Sequence, residues 1–468
     1  MNAPVQLAHT LSNLARATEG RLVGADVAFA SVSIDSRTMP PGALFIALKG
    51  PSFDGHEFVA TAAQHGAIGA LVQQELPTAI PQVVVGDTLV ALTDFARAWR
   101  REFSIPVVGI TGSNGKTTTK EMIGSILARA HNCLVTQGNL NNHIGVPLTL
   151  MRLNDEHGAA VIEMGANHQG EIAALAAIAE PTVGIITNAG AAHLEGFGGL
   201  EGVARGKGEL LRALGPKGTA VINADDAFAN YWRETTTAGR VFTFGFSQAA
   251  DFWARNVRPH SAASALGFEF DLMTPAGSKA ATVALAGVHN LRNALGAAAA
   301  AYAAGATLDQ IVSGLANMRA VSGRLQLLPA INDSFLLDDS YNANPSSLRA
   351  GLDALQAMPS AGGDDRWLVL GDMLELGEGG DAMHAEMGAY AQSIGIKRMF
   401  AVGPLARLAC DAFGAGASWF PDLDALIAAL RSELKPRVTV LIKGSRANRL
   451  ERVADALALN SPSAANSH

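Results

Sequence analysis

Cysteine is almost missing from this chain: Cys133 and Cys410 are the only two in 468 residues. They lie far apart and in no Cys-x-x-Cys pair, which argues against a disulfide framework and a thiolate metal cage and fits a reducing compartment. Charged residues are also scarce, at 16% against 49% hydrophobic. That balance is a packed globular chain's, not a disordered one's. Basic excess is absent too, since the formal net charge is -7. A general nucleic-acid or anionic-membrane binder is disfavoured, while a local basic pocket for a small phosphorylated ligand is not. No uninterrupted apolar run reaches the ~18 residues of a membrane span. The nearest, LGAAAAAYAAGA, reads as an Ala-rich packed helix. The first residues, MNAPVQLAHT, hold no basic segment followed by an apolar run. No signal peptide is expected, and a cytoplasmic location is.

The length suggests two to four domains, with no fixed-period repeat. Three textures divide the chain. Residues 1–88 hold short strands and turns such as SVSIDSR, GALFIALKG and PQVVVGD. Over 89–320, apolar strands (IPVVGIT, AAVIEMG, TVGIITN, GTAVINADD) alternate with helical stretches and read as buried parallel strands. The alternation restarts over 321–458 with FLLDDS, RWLVLGDM, RMFAVG and VTVLIKGS, which predicts a second, smaller doubly wound unit. The tail 459–468 is small and polar, and disorder is expected there. The fold class expected is α/β. In such sheets ligands gather at the carboxyl ends of the strands, so those ends are where chemistry is sought.

The first such end is GITGSNGKTTT, Gly109–Thr119. It lies between a β-branched run and a stretch with helical spacing, the layout of a phosphate cradle. The usual G-x-x-x-x-G-K-[ST] spacing places a glycine where Ile110 stands. Gly112 and Gly115 still allow a tight turn. The amides of Ser113, Asn114, Gly115, Lys116, Thr117 and Thr118 can then face phosphate at the positive end of the next helix. Lys116 would supply charge to the β/γ phosphates, and the Thr117 hydroxyl would ligate Mg²⁺. The bland alternative is a Gly-rich turn with a capping Thr.

Two more strand ends carry ionisable groups: Glu163 in VIEMGANHQGEI and His193 in NAGAAHLEGFG. With Thr117 they supply two oxygens and one imidazole at the tips of neighbouring strands. Mg²⁺ prefers oxygen, so the imidazole suggests a second metal position. Singly, each has a plain reading, a helix-capping carboxylate or a loop histidine. Lys207, in ARGKGELL, falls on a predicted helix, where a lysine is most often solvated; the pattern alone does not select it.

Together these residues resemble the Mur ligase family, whose nucleotide loop reads T-G-x-x-G-K-T, the form of Thr111–Thr117 here. Further matching stretches are QGNLNNHIGVPLTL, VIEMGANHQGEI, NAGAAHLEGFG, HNLRNAL, SGRL, LLDDSYNANPSS, LGDMLELG and IKGSR, between about residues 35 and 446. The resemblance implies three α/β domains: a small uridine-nucleotide-binding one, a central P-loop-type ATPase with a mostly parallel sheet, and a Rossmann-like doubly wound one. It implies an ATP-dependent ligase. The terminal carboxylate of a UDP-N-acetylmuramoyl-tripeptide is phosphorylated, and the amine of D-alanyl-D-alanine attacks the acyl phosphate. The Asp-Asn-Pro-Arg motif of the related ligase that adds the third residue is missing, which favours the dipeptide-adding member.

Further roles follow from the resemblance alone. Lys116 and Thr117 look like phosphate and Mg²⁺ contacts. Glu163 and His193 look like ligands of two Mg²⁺ ions, and Lys207 matches a carbamylated lysine. Asn290 and Asn293 resemble adenine contacts; Arg324 and Asp339 resemble phosphate and ribose contacts from the third domain. Ser36, Arg37, Lys49, Asp54, Gly55 and His56 resemble the uridine-nucleotide pocket, with Asn141 and Asn142 facing the muramoyl-peptide. Asn342, Asn344 and Ser346 fall on the dipeptide side. The family expectation is a monomer that closes around its substrates about a hinge near 318–324. The rival readings are another ligase of the same mechanism (an earlier Mur enzyme, a folylpolyglutamate or a cyanophycin-type synthetase), a P-loop switch, and a non-catalytic nucleotide-binding module. A switch usually has a strand ending in Asp or Asp-Glu, and AAVIEMG ends in a lone Glu.

Overall fold

Three parallel-rich sheets follow one another along the chain in the computed structural model, which describes residues 9–191, 193–262, 265–358 and 365–459. Apart from Leu459, the tail lies outside the described residues. The first sheet has strands β1 (Arg21–Val23), β2 (Ser31–Ser33), β3 (Ala43–Ile46), β4 (Gly69–Val72) and β5 (Gln82–Val84), in the order β1-β5-β4-β3-β2. Only β1 runs antiparallel to its neighbour. The β3 and β4 side chains are buried on both faces, so those strands read as continuous apolar runs.

Helix α1 (Thr88–Arg101) ties this sheet to the next one. Asp87 caps its start, accepting from the amides of Leu89 and Val90 at 2.8 and 3.0 Å. Ala91, Leu92, Phe95, Ala96 and Trp99 recur at helical spacing and are buried. They join one core with Leu11 and Leu14 of the first unit and Leu150, Ile162 and Leu175 of the second. Each buried aromatic there contributes ~1.5–3 kcal/mol. The two units therefore share a core.

The central sheet is all parallel: β6 (Val107–Thr111), β7 (Asn132–Val135), β8 (His157–Glu163), β9 (Val183–Ile186), β10 (Thr219–Asn223) and β11 (Arg240–Phe244). Its order is β11-β10-β9-β6-β8-β7. The chain leaves β6 toward one edge and returns to its other side with β9, so the strand order reverses at β6 and a crevice opens above its carboxyl end. Helix α2 (Lys116–Leu127) starts there. Helix α4 (Val288–Ala303) packs on α2, and its Ala294 and Ala297–Ala301 are fully buried. The Ala-rich stretch is thus a packed helix, as its composition suggested.

The expectation of parallel strands up to residue 320 fails at β12 (Trp253–Ala262), β13 (Ala265–Thr274) and β14 (Gly277–Val283), an antiparallel meander. Phe270 and Leu272 face the core, while Glu269 and Asp271 lie on the other face. That period of two marks a half-buried antiparallel sheet rather than a parallel strand buried on both faces.

The last sheet runs β15-β16-β20-β17-β18-β19. Its strands are β15 (Gln326–Ala330), β16 (Ser334–Asp339), β17 (Arg366–Gly371), β18 (Arg398–Val402), β19 (Ala417–Phe420) and β20 (Thr439–Lys443). All pairings are parallel except the β15–β16 hairpin. Its two faces carry separate apolar cores, as a doubly wound sheet requires. Among the described residues, no helix is long and apolar enough to cross a membrane.

Candidate active site

The carboxyl ends of the central and last sheets face each other across a cavity of about 890 Å³. On one side the β6–α2 turn is held at several points. Gly112 has φ 148°, and a Cβ there would meet Thr187 Oγ1 at 1.9 Å. Gly115 has φ 81°, and its Cβ would meet Asn293 Oδ1 at 2.5 Å. Both glycines are required by a turn this tight. The Ser113 and Asn114 amides, expected to face phosphate, bond to the carbonyl and side-chain oxygens of Asn188, each at 3.0 Å. Asn188 lies just beyond the neighbouring strand β9 and pins the loop at these two amides. The amides opening α2 lack intrahelical acceptors and can take an anion. Lys116 Nζ donates to the Gly112 carbonyl at 2.6 Å and the Ser113 carbonyl at 3.4 Å. Burial lowers its pKa, Glu163 opposes that, and Arg324 adds to it. Thr117 Oγ1 accepts from Arg324 at 3.3 Å, and Thr118 is buried behind it.

Glu163 is 2% exposed at the end of β8. Its Oε1 accepts from Asn141 at 2.9 Å, and its Oε2 is buried with no hydrogen-bond partner. The nearest cation to Oε2 is Lys120 Nζ at 3.8 Å. A buried carboxylate oxygen without a donor is costly, and a cation ligand would satisfy it. His193 lines the same cavity, in the left-handed region (φ 54°), with Nδ1 2.6 Å from a Glu375 carboxylate oxygen. Burial lowers its pKa, which Glu375 opposes. No three His, Cys, Asp or Glu side chains among the described residues gather as a metal cage. Thr117, Glu163 and His193 can hold Mg²⁺ only with oxygens supplied by ligand and water, the sharing Mg²⁺ favours.

Lys207, expected on a solvated face, is 2% exposed on α3 (Leu200–Arg212). The solvated residue is Arg205, which pairs with Glu201 at 3.5 Å. Lys207 Nζ lies 3.4 Å from the Ala166 carbonyl and 5.0 Å from the centre of the Phe197 ring. Burial pushes its pKa down to about 7, and the charge of Lys116 adds to this.

Asn290 and Asn293 are buried at the start of α4. Asn290 donates to the Ala286 carbonyl at 2.7 Å, and its Oδ1 accepts from Asn293 at 3.0 Å. From the last sheet, Arg324 stacks on Tyr341 at 4.0 Å, and Asp339 is ion-paired with buried Lys443. Lys443 Nζ also reaches the Asn342 carbonyl at 3.1 Å. Asn344 caps helix α5 (Pro345–Ala357). Asn344 Nδ2 donates to Asn114 Oδ1 at 2.8 Å, and Asn114 Nδ2 to Ser346 Oγ at 2.9 Å. Asn344 and Ser346, expected beside a dipeptide, are thereby held against the nucleotide loop; Asn342 lines the cavity near them.

Asn141 and Asn142 also line the cavity. Asn142 Oδ1 accepts the amides of Ile144 and Gly145 at 3.1 and 2.9 Å, which fixes the turn leading into Gly145–Leu150. The first-unit residues do not reach this cavity. Ser36 is buried, and Arg37 is exposed and paired with Asp35. Lys49 Nζ lies 3.7 Å from Asp54, whose Oδ1 is 2.6 Å from His56 Nδ1. A Cβ on Gly55 would meet the Leu48 carbonyl at 2.6 Å. Lys49, Asp54 and His56 form a group of their own, while the Ser36 carbonyl meets His65 Nδ1 at 2.6 Å.

Sequence reasoning missed Asn188, Lys120, His289 and Lys443. His289 lines the cavity, and burial lowers its pKa to about 4. Lys120 follows Lys116 by one helical turn, a spacing that puts both on one face, and Lys443 ends the apolar strand VTVLIK. Those two signals were available; neither selects a role.

Residues 110–301 match the Mur ligase middle domain, 323–446 the Mur ligase, glutamate ligase domain, and 28–96 the Mur ligase family, catalytic domain. The UDP-N-acetylmuramoyl-tripeptide–D-alanyl-D-alanine ligase of Escherichia coli (strain K12) is 44% identical over 454 residues, which are 96% of this chain and 98% of that protein. A crystal structure of MurF from Acinetobacter baumannii superposes with a TM-score of 0.87 at 35% identity, covering 96% of this chain and 98% of that one. The Thermotoga maritima MurF ligase in complex with ADP superposes with a TM-score of 0.77 at 26% identity, covering 91% and 96%.

Proposed function

The chain belongs to the Mur ligase family, and from that premise we propose that it uses ATP to join D-alanyl-D-alanine to the terminal carboxylate of UDP-N-acetylmuramoyl-tripeptide, in the assembly of peptidoglycan precursor. The observation that carries this reading is the convergence, on one cavity, of the Lys116–Thr117 loop, Glu163 and His193 with Arg324 and Asp339. The convergence suits transfer of a γ-phosphate to a carboxylate held in the same cleft. A carboxylate oxygen attacks the γ-phosphorus and ADP leaves. The dipeptide amine then attacks the acyl carbon, gives up a proton, and inorganic phosphate departs.

Two anions must meet in the first step. Lys116 offsets that charge once its ammonium turns from the Gly112 and Ser113 carbonyls to phosphate, and Arg324 does so from the facing unit. Thr117 and the free Oε2 of Glu163 would hold a Mg²⁺ ion and His193 a second, each ion supplying charge neutralisation on the phosphates. Asn141 fixes the other oxygen of Glu163. Lys207 serves as a carbamate: its buried amine, neutral in part at pH 7, can add CO₂, release a proton to solvent and become an anion beside the cations. Asn290 and Asn293 take the adenine, Asp339 the ribose, and residues of the first unit (Ser36, Arg37, Lys49, Asp54, Gly55 and His56) the uridine nucleotide. The division of labour follows 1–88, 89–320 and 321–458, in a cytoplasmic monomer.

The deciding experiment measures ADP release from UDP-N-acetylmuramoyl-tripeptide with D-alanyl-D-alanine or single amino acids, using both the diaminopimelate and lysine tripeptides. Turnover should require tripeptide and dipeptide together. ATP consumption without them would favour a nucleotide switch, and turnover with single amino acids an earlier ligase.

A further inference from the structure

The LGDMLELG stretch has no part in the scheme above, yet it touches the site. Its loop leaves the carboxyl end of β17 and lies against the one-turn helix Leu194–Phe197 of the central unit, which His193 opens. A Cβ on Gly377 would stand 3.4 Å from Glu195 Cβ, and Glu375 Oε2 is 2.6 Å from His193 Nδ1. Both sides are unusual backbone. His193 (φ 54°) and Glu375 (φ 62°) are among the few non-glycine residues with positive φ. Gly198, Gly199, Gly377 and Gly379 bend the chain on the same two sides with positive φ. Glu375 keeps 61% of its side chain exposed. An exposed ion pair adds little stability, whereas a left-handed non-glycine residue costs some. Stability does not explain the pairing, and strain of this kind gathers at functional sites.

The chemistry of the contact is directional. A carboxylate can only accept, so Nδ1 carries a proton. In the neutral ring the lone pair then lies on Nε2, the arrangement that carboxylate partners impose on metal-binding histidines. We propose that Glu375 is a positioning residue brought in by the C-terminal unit, which holds the His193 ring with Nε2 free for a divalent cation. The second cation position is then complete only when the two units are in contact. This rests on the metal role proposed for His193.

Mn²⁺ binding to the full chain saturated with ADP, followed by electron paramagnetic resonance, tests it without turnover. Glu375 is exposed, so Glu375→Ala should fold, and thermal midpoints check that. Glu375→Ala should weaken Mn²⁺ binding about 10- to 100-fold. Glu375→Gln, which still accepts from Nδ1, should lose clearly less. The double variant with His193→Ala should bind no worse than His193→Ala alone. Unchanged Mn²⁺ affinity in His193→Ala overturns the metal role of His193 and this inference with it. Weakened binding in His193→Ala with affinity within about twofold of wild type in Glu375→Ala, or simple addition of the two losses, overturns this inference alone.

Discussion

An exposed lysine at pH 7 is neutral in roughly one molecule in three thousand. Lys207, pushed down to about 7, is neutral far more often. Only the neutral amine adds CO₂, so burial makes this position reactive. The sign follows from the direction of the shift: above pH 7 the amine is free to form a carbamate, and below it the ammonium builds up and the carbamate is lost. At limiting bicarbonate, wild-type ligation should therefore fall as pH drops from about 8 to 6. Lys207→Ala should lose about 100-fold or more in kcat, with partial recovery in acetate or formate and without the wild-type dependence on bicarbonate. No recovery with any short carboxylic acid would sink the carbamate reading. Residues of this kind divide by how they are specified. Lys116 and Thr117 stand out in the sequence because they open a helix after a glycine turn, and Glu163 because it ends a strand inside a motif. Burial of Lys207 depends on Phe197 and Ala166, contributed by other segments, and the local pattern of ARGKGELL holds no trace of them.

At the scale of elements, the strand–turn–helix at β6–α2 was legible from its glycines and flanking periodicity, despite the shifted spacing at Ile110. What the sequence reading lacked was the second strand of support, since Thr187 and Asn188 close the loop from β9. That support makes a sharp prediction. Gly112→Ala places a Cβ against Thr187 Oγ1 in a backbone region that alanine avoids. It should cost about 1–3 kcal/mol of stability and weaken ADP binding by about tenfold or more, measured by calorimetric titration. Adding Thr187→Ala removes the Oγ1 clash but leaves the Thr187 Cβ at 3.1 Å and the backbone strain, so recovery should be partial. Wild-type ADP affinity in Gly112→Ala would show that the tight turn is dispensable. The β12–β14 meander carried its period of two in the sequence and was passed over. The β15–β16 hairpin was missed for a different reason: apolar strands of similar length look alike locally, and the partner strand decides whether they run parallel.

For the whole molecule, three textures in the sequence correspond to three sheets, but composition could not say how the sheets meet. The first and second share an apolar core through α1, so they should move as one body. The second and third meet at the cavity through polar contacts: Asn114 with Asn344 and Ser346, Thr117 with Arg324, and His193 with Glu375. A net ~0.5–1.5 kcal/mol per hydrogen bond makes such a contact easy to open. Nucleotide bound between Lys116 and Arg324 would interact with both sides only when they are closed, and that differential affinity is what shifts the balance. The chain between the two bodies, Met318–Leu325, has no helix or strand and includes Gly323 and Leu325 at positive φ, which suits the expected hinge near 318–324. Small-angle scattering should show the radius of gyration falling toward the ~23 Å of a compact chain of this length when nucleotide and UDP-tripeptide are added together. Ser346→Ala, which removes one bond to the nucleotide loop without removing the α5 cap, should require more nucleotide to reach the same compaction. Superimposable scattering with and without both ligands would mean that the cleft is rigid, and that the polar seam is a fixed interface rather than a closing one.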